Sequence, residues 1–298
     1  MELASLLNAL PGSIAQGLIW GIMAIGVYIT FKILDIADMT VDGTMCTGGA
    51  VCIILMINGH SVWFALICAM LAGMLAGLVT GILQTVMGIP SILSGILTQL
   101  ALYSINLRIL GSPNQSISVR FYDLLVSLMY INKALLIVSI VVAVLIVILY
   151  WFFGTELGCA MRATGNNHSM ARAQGVNTSF IKVLGLMISN AIIALCSGIL
   201  AQYQGFADIN MGRGAIVIGL AAVIIGEVIF GKLFKNFALK LLGVVVGAVI
   251  YYIVIQFVLW LGLETDDLKL LTAAVVALFL SIPHLKSRYF SRIGRKAA

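Results

Sequence analysis

One run of eight residues differs at a single position from a phosphate-binding loop: Gly226-Glu227-Val228-Ile229-Phe230-Gly231-Lys232-Leu233. In that loop, G-x-x-x-x-G-K-[ST], backbone N–H groups hold the phosphates and the Ser or Thr hydroxyl binds Mg²⁺. Leu233 stands where the hydroxyl is needed, and the run follows an apolar stretch rather than a strand that opens onto a helix. The sequence therefore predicts no nucleotide cofactor in this chain.

The other reactive residue types form no catalytic or metal-binding pattern. There is no H-E-x-x-H, the five cysteines include no C-x-x-C pair, and the three histidines fall in loops or at the ends of apolar runs. Asp266 and Asp267 are adjacent, so on a helix they would project in different directions and make a poor acid–base pair. The sequence indicates a protein without catalytic residues of its own.

Polar side chains inside long apolar runs are better candidates for contact with a solute. Such groups are costly in a bilayer and usually face a protein interior or an aqueous cavity. The full set is Asp42, Thr44, Thr47, Gln84, Ser94, Thr98, Gln99, Asn106, Ser189, Asn190 and Glu227. From it we select as candidates to line a path through the membrane Asp42, Thr44, Thr47, Gln99, Asn106, Asn190 and Glu227.

Each of these residues also has a purely structural interpretation. Asp42 could cap the helix in which it lies, because an N-terminal Asp accepts free backbone N–H groups. Glu227 could form a local ion pair with Lys232 or Lys235. The uncharged polar side chains could instead join helices by hydrogen bonds.

The surroundings of these residues are those of a membrane protein. Of the 298 residues, 62% are hydrophobic and only 9% are charged, against about 45–50% and about 25% in soluble domains. Residues 43–107 contain no Asp, Glu, Lys or Arg. A membrane-spanning helix needs about 20 apolar residues, so this stretch alone can hold three. A soluble fold is excluded.

The hydrophobic pattern predicts an all-α, polytopic membrane protein with about nine transmembrane helices, within a range of 8–10. The predicted spans are 12–31, 42–57, 62–86, 91–110, 134–154, 182–202, 213–231, 237–260 and 268–284. A tenth is possible because 32–45 could be a broken half-helix. Several spans contain Gly-x-x-x-Gly, which lets helix backbones approach closely; packing within the chain is the main interpretation and a dimer contact the alternative.

The basic residues predict the orientation, because Lys and Arg are retained on the cytoplasmic side. With the C-terminal tail inside, 12 of the 17 basic residues lie on the cytoplasmic side, together with the long connection 155–181. The N-terminus and 111–133 then lie outside, as does the acidic group Glu264, Asp266 and Asp267.

The connection 155–181 is amphipathic and lies between two apolar runs. Gly165, Asn166 and Asn167 form a turn signal at its centre, and Ser169 could cap a second short helix. A pair of short helices can insert into a groove on a soluble partner. A solvated loop with incidental helix is the alternative.

The same segment carries a family resemblance. Thr155-Glu156-Leu157-Gly158, Met161-Arg162-Ala163-Thr164-Gly165-Asn166, Ala171-Arg172-Ala173 and Gly175-Val176 resemble the cytoplasmic coupling segment of permeases from ATP-binding-cassette importers of the branched-chain amino acid and ribose type. Weaker matches lie at 38–43 and 221–227, where Asp42 and Glu227 replace the usual Gly. The chain looks most like the amino-acid-linked relatives, including permeases associated with aromatic amino acids.

The resemblance implies that residues 1–298 form one permease domain that imports a small polar solute, with a branched-chain or aromatic amino acid as the expected class. It implies two ATPase subunits that bind ATP and Mg²⁺ in place of this chain, and an extracellular solute-binding protein. It also implies a second permease, either another copy of this chain or a homologue, in a bacterial inner membrane, with no nucleic acid. The coupling residues it implies are Glu156, Leu157, Gly158, Arg162, Ala163, Gly165, Ala171 and Gly175. The alternative is a self-contained, ion-coupled secondary transporter, which would need ion-binding broken helices near the midplane.

Overall fold

The structure is a computed structural model that describes residues 3–118, 122, 124–231, 233, 234 and 236–261, and 270, 272–274, 276, 277 and 281 near the end of the chain. Its helices are α1 (Leu3–Tyr28), α2 (Val41–Ile57), α3 (Val62–Thr85), α4 (Ser91–Leu110), α5 (Ile131–Phe152), α6 (Glu156–Asn166), α7 (His168–Ala173), α8 (Thr178–Gln204), α9 (Ala215–Phe230) and α10 (Phe237–Trp260). A π-helical turn, Ile29–Ile33, continues α1. Two short strands, β1 (Asn114–Ser116) and β2 (Phe206–Asp208), pair antiparallel.

The predicted all-α, polytopic membrane fold is confirmed. Six described helices are long and apolar enough to cross a membrane, and α2 and α9 are shorter apolar helices. Seven predicted spans agree with helices to within four residues, whereas α1 begins earlier than expected, at Leu3. The last predicted span, 268–284, lies largely outside the described residues, although the described positions within it are helical. Residues 34–40 are not helical, so 32–45 does not form a further half-helix.

The centre of the bundle is formed by α1, α2 and α8. Helix α2 is buried along nearly its whole length, and α8 packs against α1, α2 and α3. The outer helices α3, α4 and α5 each expose a broad apolar face. In a membrane protein such faces are compatible with lipid.

Positions along α8 give the depth of other elements in the bundle, because its 27 residues extend about 40 Å at 1.5 Å per residue. Asn190 comes twelve residues after Thr178, about 18 Å along that length. The Asn190 side chain contacts Asp38, just before α2 begins. Helix α2 therefore starts near the middle of α8, and residues 34–40 enter the protein interior as irregular backbone. Such backbone is tolerated at membrane depth only where protein surrounds it.

The Gly-x-x-x-Gly positions pack helices within this chain. At Gly73, Gly77 and Gly81 on α3, a Cβ atom would collide with the backbone of α8. A Cβ atom at Gly17 or Gly21 would collide with Val249 or Val245 of α10, and one at Gly247 would collide with the backbone of α9. At Gly243 it would make only ordinary contacts. Within the described residues, close packing inside the chain therefore accounts for these glycines except Gly243, as the main interpretation predicted.

The strands join two connections at one end of the bundle. Asn114 pairs with Asp208, and the Ile209 N–H donates to the Pro113 carbonyl at 2.9 Å. The segment after α4 is thereby fixed to the linker between α8 and α9. That linker runs from β2 to the buried start of α9.

Candidate functional site

A buried polar network joins the start of α2 to α8. Asn190 Nδ2 donates to Asp38 Oδ2 at 2.8 Å, and the Thr44 hydroxyl donates to Asn190 Oδ1 at 2.6 Å. The Thr40 N–H donates to Asp38 Oδ1 at 2.9 Å. Thr44 and Asn190 are fully buried in this network, so these two path candidates act as links between helices rather than as exposed lining.

Asp42 caps a helix, but it is α9 and not its own helix. The Gly214 N–H donates to Asp42 Oδ2 at 3.0 Å and the Ile216 N–H to Oδ1 at 3.1 Å. Gly214 is the N-cap residue of α9 and has no side chain that could accept these bonds. The carboxylate of Asp42 therefore performs the capping role and also faces the positive end of the helix dipole.

A cleft of about 140 Å³ lies beside this cap, and we call it the Asp42 cleft. Its wall on α4 includes Gln99, Tyr103 and Asn106, and Arg213 lines it from the linker before α9. The complete lining is Asp42, Gly43, Cys46, Gln99, Leu100, Tyr103, Asn106, Ile209 and Arg213. Three of the seven path candidates are thus brought together: Asp42, Gln99 and Asn106.

Thr47 and Glu227 lie elsewhere. The Thr47 hydroxyl is buried and bonds only to the Gly43 carbonyl of its own helix, at 3.0 Å. Glu227 pairs with Lys32 Nζ at 2.7 Å, and both side chains are about half exposed. Glu227 forms an ion pair with Lys32, and the two lysines that the sequence suggested, Lys232 and Lys235, lie outside the described residues. The ion pair joins the end of α9 to the π-helical turn.

The 155–181 connection contains the two short helices that the sequence predicts, α6 and α7. The Thr155 hydroxyl accepts the Gly158 N–H at the start of α6. Asn167 Oδ1 accepts the Met170 N–H at the start of α7, at 3.0 Å. The predicted cap Ser169 is wrong, because Ser169 lies inside α7.

Arg162 and Gly165 attach α6 to the bundle. The guanidinium carbon of Arg162 lies 4.5 Å from the ring centroid of Phe237 and 5.4 Å from that of Phe153. These cation–π contacts link α6 to the ends of α5 and α10. Gly165 is a helical residue whose Cα lies against the Ile33 carbonyl, where a Cβ atom would collide. Position 165 must be a glycine because of this close approach, and not because of the turn that the sequence suggested.

The other predicted coupling residues divide into two groups. Gly158 and Ala171 are buried against this chain, while Glu156, Leu157 and Ala163 are exposed on α6. Gly175 ends α7 with φ +81°, a left-handed conformation that glycine adopts readily. Burial lowers the pKa of His168 at the start of α7, and the cations Lys182 and Arg172 lower it further.

The sequence-based selection missed three residues of these sites. Tyr103 and Arg213 line the Asp42 cleft, and Asp38 anchors the buried network. Asp38 carried a usable signal, since it is an acidic residue directly before an uncharged apolar run. Tyr103 and Arg213 gave none, because a tyrosine in an apolar helix and an arginine in a linker are common. In the part of the chain that the structure describes, no three His, Cys, Asp or Glu residues lie together as a metal site requires.

These features define a membrane permease: a bundle of apolar helices, the Asp42 cleft beside two helices that begin at mid-depth, and an amphipathic helix pair at one end. The family model for the permease component of the branched-chain amino acid transport system matches residues 10–283. The chain belongs to this family, and the prediction of an ATP-binding-cassette importer permease is confirmed.

Two relatives are similar over nearly the whole chain. A protein of Clostridioides difficile named tyrosine transport system permease protein is 41% identical over 270 residues, which are 91% of this chain and 90% of the relative. An uncharacterized protein of Rickettsia prowazekii, RP368, is 36% identical over 282 residues, which are 94% of this chain and 99% of the relative. The solved structure of PsaBC from Streptococcus pneumoniae aligns at 16% identity with a TM-score of 0.44, over 86% of this chain and 95% of that one.

Proposed function

We propose that this chain, as a single permease domain over residues 1–298, forms the membrane pathway of an importer for amino acids, of the aromatic type, in a bacterial cytoplasmic membrane. The observation that carries the ATP-driven mechanism is the α6–α7 pair at one end of the bundle, which packs against α8 and the π-helical turn and contacts Phe153 and Phe237 through Arg162. The family description and the name of the Clostridioides difficile relative support an amino acid as the solute.

The exposed side of the helix pair is the surface on which an ATPase subunit would bind. Leu157 and Met170 are 45% and 63% exposed there, beside Glu156 and Ala163. An apolar helix face entering a groove is a common mode of recognition. Residues packed inward, such as Gly165 and Ala171, would transmit a movement of this surface to the bundle.

ATP and Mg²⁺ would be bound by the ATPase partner, and a second copy of this chain would complete the pathway. An extracellular binding protein would deliver the solute to the outer connections, 111–133 and 203–213, which β1 and β2 hold together. ATP binding would favour a second arrangement of the helices, because a ligand shifts an equilibrium only by its differential affinity for the two states.

Reconstitution into proteoliposomes tests this proposal. The complete complex, with its ATPase and binding protein, should import L-tyrosine when ATP is present. The purified chain alone should show neither ATP hydrolysis nor uptake. Uptake by the chain alone, driven by an ion gradient, would instead establish the ion-coupled secondary transporter. A complex that hydrolyses ATP and imports no amino acid would refute the assigned solute.

A further inference from the structure

We propose that the Asp42 cleft binds the solute directly, as the zwitterion of an α-amino acid with an aromatic side chain. The inference rests on the proposed function and adds to it the residues that would recognise each part of the solute. Arg213 binds the carboxylate, Asp42 and Asn106 bind the ammonium group, and Tyr103 contacts the ring.

Charges of opposite sign line the cleft without neutralising each other. Asp42 and Arg213 both contribute to its wall, yet among the described residues the ion pair that forms is the one between Lys32 and Glu227. Arg213 is an exposed residue of the cleft lining. A guanidinium fork matches a carboxylate in geometry, so this residue suits the acidic end of a zwitterion.

Asp42 keeps acceptor capacity for an ammonium group. Its two carboxylate oxygens each accept one backbone N–H from the start of α9. An ionised carboxylate has about four lone-pair sites, so about two remain. The two backbone bonds hold the carboxylate still, which reduces the entropy that is lost when a ligand binds.

Asn106 supplies an independent sign that a ligand is expected. Its side chain is 1% exposed, and its Nδ2 donates to the Gly43 carbonyl at 3.3 Å. Asn106 lines the same cleft, and its Oδ1 has no hydrogen-bond partner among the described residues. The thiol of Cys46 beside it is a weak donor that is directed at the Asp208 carbonyl, 3.7 Å away. A buried acceptor without a donor is unfavourable by about 1–3 kcal/mol, and an ammonium group in the cleft would satisfy it.

The remaining wall fits an aromatic side chain. Tyr103 and Leu100 lie on the exposed face of α4, 46% and 64% exposed, and Gln99 lies beside them in the lining. The linker with Ile209 and Arg213 adjoins β2, so the cleft faces the side to which the outer connections belong.

Saturation-transfer NMR of the full chain in nanodiscs tests this site, since it detects weak binding. The probes are L-tyrosine, tyramine, which lacks the carboxylate, and 3-(4-hydroxyphenyl)propionate, which lacks the amine. L-tyrosine should bind at least about tenfold more tightly than either analogue, because each lost charged hydrogen bond weakens binding by this order. Arg213→Gln should weaken L-tyrosine binding about tenfold, so that the variant binds L-tyrosine and tyramine with equal affinity. Asn106→Leu should weaken L-tyrosine binding by a similar factor.

The matched control is Arg108→Gln, which removes an exposed arginine of α4 that does not line the cleft. It should bind all three probes as the unmodified chain does. Unchanged L-tyrosine binding in Arg213→Gln would overturn the site, and so would the absence of competable binding in the unmodified chain. Loss of binding-protein association in Arg213→Gln, with L-tyrosine affinity retained, would overturn it in favour of a docking role. In each case, import of L-tyrosine by the intact complex would leave the proposed function standing.

Discussion

The carboxylate of Asp42, in the first turn of α2, accepts the backbone N–H of Gly214, 172 residues later in the chain, at 3.0 Å. This bond joins the starts of two short helices at the same depth of the bundle. A single acidic side chain thus stabilises the free N–H groups of α9 and also forms one wall of the adjoining cleft. The packing of α9 and the shape of the cleft therefore depend on the same residue.

Removing this cap should destabilise the chain. We expect Asp42→Ala to lower the free energy of unfolding by about 1 kcal/mol or somewhat more, as for other lost N-caps. Asp42→Asn should have a smaller effect, because an amide oxygen still accepts. Thermal unfolding in detergent measures both. Asp35→Asn is the control, since Asp35 is exposed and its φ of +56° suits asparagine. Equal melting temperatures for Asp42→Ala and the control would contradict the capping role.

The Asp38–Asn190 contact should show strong coupling between its two residues. Asn190→Leu removes the Asn190 donor from a buried carboxylate, at a cost of about 1–3 kcal/mol. The double variant Asn190→Leu with Asp38→Ala should lose less unfolding free energy than the two single variants lose together. The reason is that it no longer contains the buried Asp38 carboxylate, which Asn190→Leu alone leaves without its donor. Thr47→Val provides the control, as its hydroxyl bonds only within α2. Additive losses in a double-mutant cycle would argue against the network.

The sequence predicts the apolar helices well, because a run of about 20 uncharged residues has few stable structures other than a membrane-spanning helix. It also predicts the helix pair α6–α7, since the turn residues Gly165 to Asn167 interrupt an amphipathic pattern. In both cases the signal is local along the chain. The membrane fold and the location of the coupling segment follow from such signals.

The partners of the polar residues could not be predicted in this way. Asp42 meets Gly214 and Lys32 meets Glu227 only because distant helices pack together. The pattern around Asp42 is equally compatible with a cap on its own helix, and Glu227 has two lysines closer in sequence. Residues 34–40 also show no periodic sequence pattern that would predict their position in the interior, although the acidic residue Asp38 is a sign of it.

Gly165 should tolerate no side chain where α6 meets the π-helical turn. We expect Gly165→Val to displace α6 from Ile33 and to abolish both uptake and co-purification of the ATPase partner. The spans should still fold, because lipid-facing helices do not depend on this contact. Ala163→Val is a control for folding only, since Ala163 lies on the surface where the ATPase would bind: the same helix receives a side chain on its exposed face, so the chain's own melting temperature should be unchanged. Normal uptake by Gly165→Val would refute the role of this contact.

The Lys32–Glu227 pair should matter more for transport than for stability. A half-exposed ion pair contributes only about 0–1 kcal/mol, so Lys32→Glu and Glu227→Lys should each shift the melting temperature little. If the pair transmits movement from the π-helical turn to α9, each single change should reduce uptake and the double exchange should restore it. Measured uptake rates of the three variants decide this. A double variant as impaired as the singles would show that the charges act separately.

The orientation of the chain is a further prediction, based on the basic residues. Ser169, in α7, should lie on the cytoplasmic side, and Ser116, in β1, should lie outside; both are exposed and open to labelling. In a chain without its native cysteines, a membrane-impermeant maleimide applied to intact cells should label Ser116→Cys and not Ser169→Cys. After permeabilisation both should react, which controls for accessibility. The reverse pattern in intact cells would invert the orientation, and the α6–α7 pair would then face away from any cytoplasmic ATPase.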